Sequence, residues 1–103
     1  MDVFLYKSRS KKKEYKAIFK RNGAKIKTIY FGSKGASTFP IHKDVGKKEN
    51  YIARHAPLNE DWTYRGLMTP GFWARWLLWN KDTIDKSIRD IELRFNVNIF
   101  KKF

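Results

Sequence analysis

The amino-acid sequence predicts an α+β fold, with a small antiparallel sheet built on an N-terminal hairpin and two to three helices after it. Three features support this prediction. Asn22-Gly23 separates two β-prone runs, and this dipeptide favours the tight turn of a β-hairpin. Thr69-Pro70-Gly71 is typical of a helix start, because threonine caps well and proline suits the first turn. The apolar stripe that begins at Ile84 has helical spacing.

The hairpin turn predicts a particular pairing of its two strands. If Asn22 and Gly23 form a two-residue loop, Phe19 lies opposite Ile26 and Lys20 lies opposite Lys25. Strand side chains alternate between the two faces of a sheet, so this register predicts one apolar face and one basic face. The apolar face would hold Tyr15, Ala17, Phe19, Ile26, Thr28 and Tyr30, and the basic face Lys16, Lys20, Lys25 and Lys27.

The segments around the hairpin are expected to be short. A strand is predicted at residues 2–6, and Thr38-Phe39-Pro40-Ile41 is predicted to be extended because the residue before proline avoids the helical region. Asp44 is expected to cap a helix over about 45–55 that ends before Pro57. Residues 97–100 are expected to add a last short strand or a docked tail.

The C-terminal half predicts two helices joined by a very short link and sharing one core. In the first, Pro70–Asn80, an apolar arc runs along one side and Leu78 falls outside it. Asp82 is predicted to cap the second, which carries the stripe Ile84, Ile88, Ile91 and Phe95. The aromatic residues Phe72, Trp73, Trp76 and Trp79 are expected in the core, with a partner interface or a base-stacking surface as the alternative.

The charge distribution predicts a polyanionic or acidic partner. The 103 residues, read as a single domain 1–103, carry a net charge of +13, more than solubility requires. Residues 1–34 hold 11 basic and 2 acidic residues. A field this directed attracts nucleic acid, an anionic membrane surface or an acidic protein face. The predicted contact residues are Lys7, Arg9, Lys11, Lys12 and Lys13 in a loop or arm at 7–13, and Lys16, Lys20, Lys25 and Lys27 in the hairpin.

Catalytic signals are weak in this sequence. His42 and His55 are the two histidines, and neither has a recognisable acid–base partner nearby in sequence. The chain has no cysteine, the histidine spacing matches no standard metal site, and Gly32-Ser33-Lys34-Gly35 lacks the pattern of a phosphate loop. We therefore expect a protein that is not an enzyme, with no metal, cofactor or small-molecule substrate. The opening residues 1–6 are too short and too acidic for a signal peptide, which predicts synthesis in the cytoplasm.

Several blocks resemble a family of small basic proteins of uncharacterised function encoded by large DNA viruses of algae and protists. The blocks are Phe31–Gly35, Ile41–Asp44, Lys48–His55, Glu60–Trp62 and Met68–Lys81, of which the last is the most distinctive. The resemblance covers about two-thirds of the chain and carries no catalytic assignment. It implies a viral origin. Combined with the basic charge, it leads us to expect a minor capsid or cement protein of a virion, bound to acidic surfaces of larger capsid proteins. The alternative is a virus-encoded protein that binds nucleic acid.

Overall fold

A four-stranded sheet forms one layer of the molecule, and helices cover one of its faces. The computed structural model describes residues 1–103. The strands are β1 Asp2–Lys7, β2 Lys13–Arg21, β3 Ala24–Ser33 and β4 Asn98–Lys101, in the order β3-β2-β1-β4. β2 pairs antiparallel with both β1 and β3, and β4 lies parallel to β1. The predicted α+β class is confirmed, and so is the last short strand.

The Asn22-Gly23 hairpin is confirmed, but most of the predicted register is wrong. Asn22 and Gly23 have positive φ angles of 51° and 79°, as a two-residue hairpin turn of this type requires. Lys20 lies opposite Lys25 as predicted. The register then shifts between Lys20 and Phe19, so that Phe19 lies opposite Lys27.

Ile26 is the extra residue of a β-bulge, and the bulge exchanges the two faces for the rest of β3. Ile29 and Phe31 now point into the core, where they are 5% and 1% exposed. Tyr30, predicted to face inward, is 45% exposed on the opposite side. Lys27 leaves the predicted basic face, because it shares its side of the sheet with Phe19. A bulge adds one residue to one strand, and a shift of one residue moves every later side chain to the other face.

Four helices and one 3-10 turn follow the hairpin. They are α1 Phe39–His42, α2 Val45–His55, the turn Tyr64–Gly66, α3 Pro70–Trp73 and α4 Ile84–Phe95, and α3 continues directly as a π-helical segment Ala74–Leu78. The Asp44 cap is confirmed, since its carboxylate accepts a hydrogen bond from the Lys47 amide at 3.1 Å. None of the helices is long and apolar enough to cross a membrane.

Two local predictions in the helical half are wrong. Residues 39–42 form a helical turn, because Thr38 alone stays extended and its carbonyl accepts the amides of Ile41 and His42. Pro40 fits this turn, where its missing N–H is not needed. The cap of α4 is Thr83, whose hydroxyl accepts from the Lys86 amide at 3.1 Å. Asp82 instead forms an ion pair with the Lys86 side chain.

The π-helical segment explains why Leu78 is buried, which the sequence pattern did not predict. The Trp79 amide bonds to the Ala74 carbonyl, five residues back, so the segment turns less per residue than an α-helix. This smaller rotation brings Leu78 to the sheet, where it is 2% exposed, and leaves Trp76 and Trp79 partly exposed at the border. The 100° periodicity of an ideal α-helix therefore fails over these five residues.

The core lies between the inner face of the sheet and the two C-terminal helices. Phe19 and Phe31 contact Trp73, whose indole N–H donates to the Leu67 carbonyl at 2.6 Å. The predicted common core of the two helices is confirmed. Trp73, Leu77 and Ile91 are buried within it, and Trp76, Ile84 and Ile88 pack against its edge.

We expect Leu78→Ala to lower the free energy of unfolding by about 2–5 kcal/mol, because it leaves a cavity beside β3. The matched control is Leu93→Ala on α4, where the side chain is 83% exposed and the loss should stay within about 0.5 kcal/mol. Urea denaturation measures both changes. Equal effects of the two substitutions would mean that the π-helical segment does not bring Leu78 into the core.

Candidate functional site

One face of the sheet has no helix packed on it, and we call it the open face. Its strand residues follow from the register, since directly paired residues share a side. They are Asp2, Phe4 and Tyr6 of β1, Lys16, Ile18 and Lys20 of β2, Lys25, Thr28 and Tyr30 of β3, and Asn98 and Phe100 of β4. None of these side chains belongs to the hydrophobic core.

Aromatic rings occupy the middle and both edges of the open face. Phe4 and Phe100 stack with their ring centroids 4.8 Å apart and their planes 16° from parallel. Phe100 is 42% exposed and Tyr30 is 45% exposed, and both lie on strands at the borders of the sheet. Large rings left open on a regular sheet form a flat apolar surface that a partner with planar groups can cover.

Lysine side chains lie over these rings. The ammonium of Lys20 is 4.8 Å from the centre of the Phe4 ring, and that of Lys16 is 5.1 Å from the Tyr6 ring. The ammonium of Lys102 lies 5.9 Å from the centre of the Phe4 ring. Among the paired strand residues of the open face Asp2 is the one carboxylate, and it accepts a hydrogen bond from Asn98. The open face therefore combines rings with a strongly positive potential.

A basic cavity lies at the end of the open face where the β1–β2 loop begins, and we call it the basic notch. It has a volume of about 550 Å³ and is lined by Arg9, Ser10, Lys12, Lys13, Lys16 and Tyr30. The lining contains four cationic residues and no carboxylate. Lys16 and Tyr30 are paired across β2 and β3 and also belong to the open face. The notch and the open face are thus one continuous surface.

The loop that carries the notch is fixed by its own serines. The Ser8 hydroxyl accepts the Ser10 amide at 2.9 Å, and the Ser10 hydroxyl accepts the amides of Lys12 and Lys13 at 3.1 and 3.3 Å. Ser8 is buried, and its amide donates to the Glu14 carbonyl. Serine turns of this kind hold a short loop in one conformation. The cationic side chains therefore start from a fixed backbone.

Three of the predicted contact residues lie outside the basic notch and the open face. Lys7 lies outside the notch, where its ammonium donates to the Glu14 carboxylate at 3.1 Å and lies 4.5 Å from the Tyr15 ring centre. That hydrogen bond, with the charges of Lys7 and Lys34, lowers the pKa of Glu14. Lys11 is exposed in the loop but does not line the notch, and Lys27 lies on the other side of the sheet.

The two histidines lie at the ends of a row of neighbouring rings that joins α2 to the π-helical segment, in which His55, Tyr51 and Trp79 are stacked and His42 is tilted against Trp79. His42, Trp79, Tyr51 and His55 follow one another with centroid distances of 5.3, 4.6 and 4.1 Å. His55 is also 3.4 Å from the Glu60 carboxylate. Burial raises the pKa of Tyr51 to about 12, so its hydroxyl stays protonated within the stack. No group of three or more histidine or carboxylate side chains lies close enough to hold a metal ion.

The tryptophans of the helical layer have their faces occupied by groups of the protein itself. The guanidinium groups of Arg75 and Arg94 lie 4.4 and 4.5 Å from the centre of the Trp76 ring. Burial, together with the charge of Arg94, lowers the pKa of Arg75. Trp79 stacks on Tyr51, and Trp73 is fully buried. The tryptophan rings of the helical layer therefore have groups of the protein against them, whereas Tyr30 and Phe100 leave exposed rings on the sheet.

Sequence reasoning did not select the rings of the open face. Phe4 and Tyr6 alternate with the buried Val3 and Leu5, and this alternation predicts that one pair faces away from the core. The chain also has no second set of amphipathic helices to cover that side, which further indicates that these rings face away from the core. Phe100 could not be placed, because its position depends on the parallel pairing of β4 with β1.

The fold and the site define a small basic α+β protein with one open sheet face lined by rings and lysines. The chain belongs to a family of unknown function, DUF5754, whose family model matches residues 3–55. The matched segment includes the three N-terminal strands except Asp2 of β1, and the whole of the basic notch. No curated protein and no solved structure matches the chain.

We expect the Lys7–Glu14 pair to make stability depend on acidity. Because the pKa of Glu14 is lowered in the folded state, its contribution is complete above the ordinary carboxyl pKa and is lost as the pH falls through the folded value. Urea midpoints of the wild type and Glu14→Gln should be measured from neutral pH down into the acidic range. The two midpoints should differ most near neutral pH and converge in acid. Glu49→Gln, on the exposed side of α2, is the control, and its urea midpoint should stay close to that of the wild type. A constant difference at all pH values would contradict this role.

Proposed function

We propose that this protein is a non-enzymatic binding protein that holds single-stranded nucleic acid on its open face. One observation carries the proposal. Rings and lysines share a sheet face on which no helix packs, and the lysine ammonium groups lie 4.8 and 5.1 Å from the centres of the half-buried Phe4 and Tyr6 rings. Proteins that bind single strands combine a cationic path for phosphates with rings on which bases stack.

The spacing of the rings favours a single strand over a duplex. Phe4 and Tyr6 are two residues apart on β1, so they lie roughly 7 Å apart along the strand. Successive nucleotides of a duplex strand are only about 3.4 Å apart. Bases must therefore be unstacked and spread to reach both rings, which a single strand permits at low cost.

The choice of cation supports nucleic acid over an acidic protein. Lysine is depleted in protein–protein interfaces, where aromatic residues and arginine are enriched. On the open face the paired strand residues include three lysines and no arginine. Lysine binds phosphate as a point charge on a flexible stem, without requiring one fixed geometry.

A role as a virion component stays a prediction. It is supported by the resemblance to small basic proteins of large DNA viruses and by the positive charge, which an acidic capsid surface would also satisfy. Mass spectrometry of purified virus particles would test it. The capsid-cement hypothesis requires this protein in a fixed ratio to the major capsid protein. A nucleic-acid-binding protein has no reason to keep that ratio.

We expect Phe100→Ala to weaken the binding of a fluorescent single-stranded oligothymidine by about 5- to 150-fold, which corresponds to the loss of one base stack of about 1–3 kcal/mol. Fluorescence anisotropy measures the Kd. The control is Tyr64→Ala, which removes a ring of similar exposure from the 3-10 turn on the helical side and should leave the Kd unchanged. Unaltered binding by Phe100→Ala, or tighter binding to a duplex of the same length, would contradict the proposal.

We also expect Lys20→Gln to reduce the salt dependence of binding. Each lost phosphate contact lowers the slope of log Kd against log salt concentration by roughly one. Lys47→Gln, which removes an exposed lysine from α2, should leave that slope as it is in the wild type. If neither the wild type nor the variants bind oligonucleotide, and the wild type is found in virions in fixed stoichiometry, the cement hypothesis replaces ours.

A further inference from the structure

The basic notch lies at one end of the surface that the open face forms. Tyr6 is paired with Lys16 on β2, and Lys16 is paired with Tyr30 on β3. Lys16 and Tyr30 then line the notch together with the loop residues that follow β1. A strand lying across the rings therefore reaches the notch at the β1–β2 loop.

The charge in the notch exceeds what an internal phosphate needs. A phosphodiester carries one negative charge, whereas a phosphate monoester carries about 1.5 to 2 at neutral pH and offers three acceptor oxygens. The notch contains Arg9, Lys12, Lys13 and Lys16. The neighbouring carboxylate of Glu14 is held elsewhere by Lys7 and Lys34. These four cations match a dianionic group.

The size of the notch and the ring beside it fit a whole terminal nucleotide. A volume of about 550 Å³ lies within the range of small-molecule sites, about 300–1,000 Å³. Tyr30 offers an exposed ring on which a base can stack while its phosphate reaches the cations. The serine hydrogen bonds fix the loop backbone beforehand, which lowers the entropy lost when a ligand binds.

We infer that the basic notch binds the terminal phosphate monoester of the strand that the open face holds, with Tyr30 stacking on the terminal base. This inference rests on the proposed function, because the strand reaches the notch from the open face. It adds a preference for strands with a phosphorylated end. The protein would then bind the end of a strand in the notch and the nucleotides beside that end on the open face. The phosphate monoester can stand at either the 5′ end or the 3′ end of the strand.

The test compares three oligothymidines of one length, with a 5′-phosphate, a 3′-phosphate or hydroxyl groups at both ends. We expect one phosphorylated form to bind about tenfold more tightly than the hydroxyl form, and the preferred form identifies the end. A fourth strand, two nucleotides longer with hydroxyl ends, adds about the same charge without a monoester. Its affinity should exceed that of the shorter hydroxyl form by much less than tenfold.

Variants of the protein separate binding of the strand by the open face from binding of its terminal phosphate by the notch. The double substitution Arg9→Gln and Lys12→Gln should remove the preference for the phosphorylated end while the hydroxyl form still binds. Lys25→Gln, at the far end of the open face, should weaken all forms equally and keep the preference. Unchanged thermal midpoints would show that the variants fold. Equal binding of all three strands by the wild type overturns the inference and leaves the proposed function standing, whereas no binding of any strand overturns both.

Discussion

The pairing of Phe19 with Lys27, one residue beyond the position that the hairpin turn alone dictates, decides which surface this protein buries. The extra residue at Ile26 lets Ile29 and Phe31 reach the core, where Phe31 contacts Trp73. The same shift turns Tyr30 outward beside Lys16. Without the bulge, Tyr30 would lie under the helices and Phe31 would be exposed, so the core and the open face depend on the same backbone irregularity.

The lysines of the open face have two roles that oppose each other. In the free protein they lie over Phe4 and Tyr6 and shield the rings from solvent. Like charges on this surface also keep two copies of the molecule from stacking ring against ring, a hazard for any exposed apolar sheet. In the proposed complex with a single strand, a base that stacks on the same ring displaces the ammonium group, so part of the stacking energy is offset by a lost cation–π contact of about 0.5–1 kcal/mol. The lysine then becomes free to contact a phosphate.

Features encoded by a few adjacent residues could be predicted from the sequence, and features set by tertiary packing could not. The Asn22-Gly23 turn, the Asp44 cap and the stripe from Ile84 to Phe95 each depend on local chemistry, and the structure contains all three. The bulge at Ile26 and the π-helical segment at Leu78 each break a regular period so that an apolar side chain can reach the core. Periodicity analysis assumes that the period is constant, so it assigns these residues to the wrong side. The cationic residues of the notch were predicted, but the rings beside them depended on the sheet register.

The parallel pairing of β4 with β1 affects how the protein is made. Phe100 stacks on Phe4, and nearly the whole chain separates the two rings. The hairpin and the helices can begin to form during translation, whereas β4 can join the sheet only after residues 98–101 have left the ribosome. Contacts between such distant residues also form slowly, because a long loop must close first. A nascent chain therefore lacks the completed ring pair until synthesis reaches its C-terminal strand.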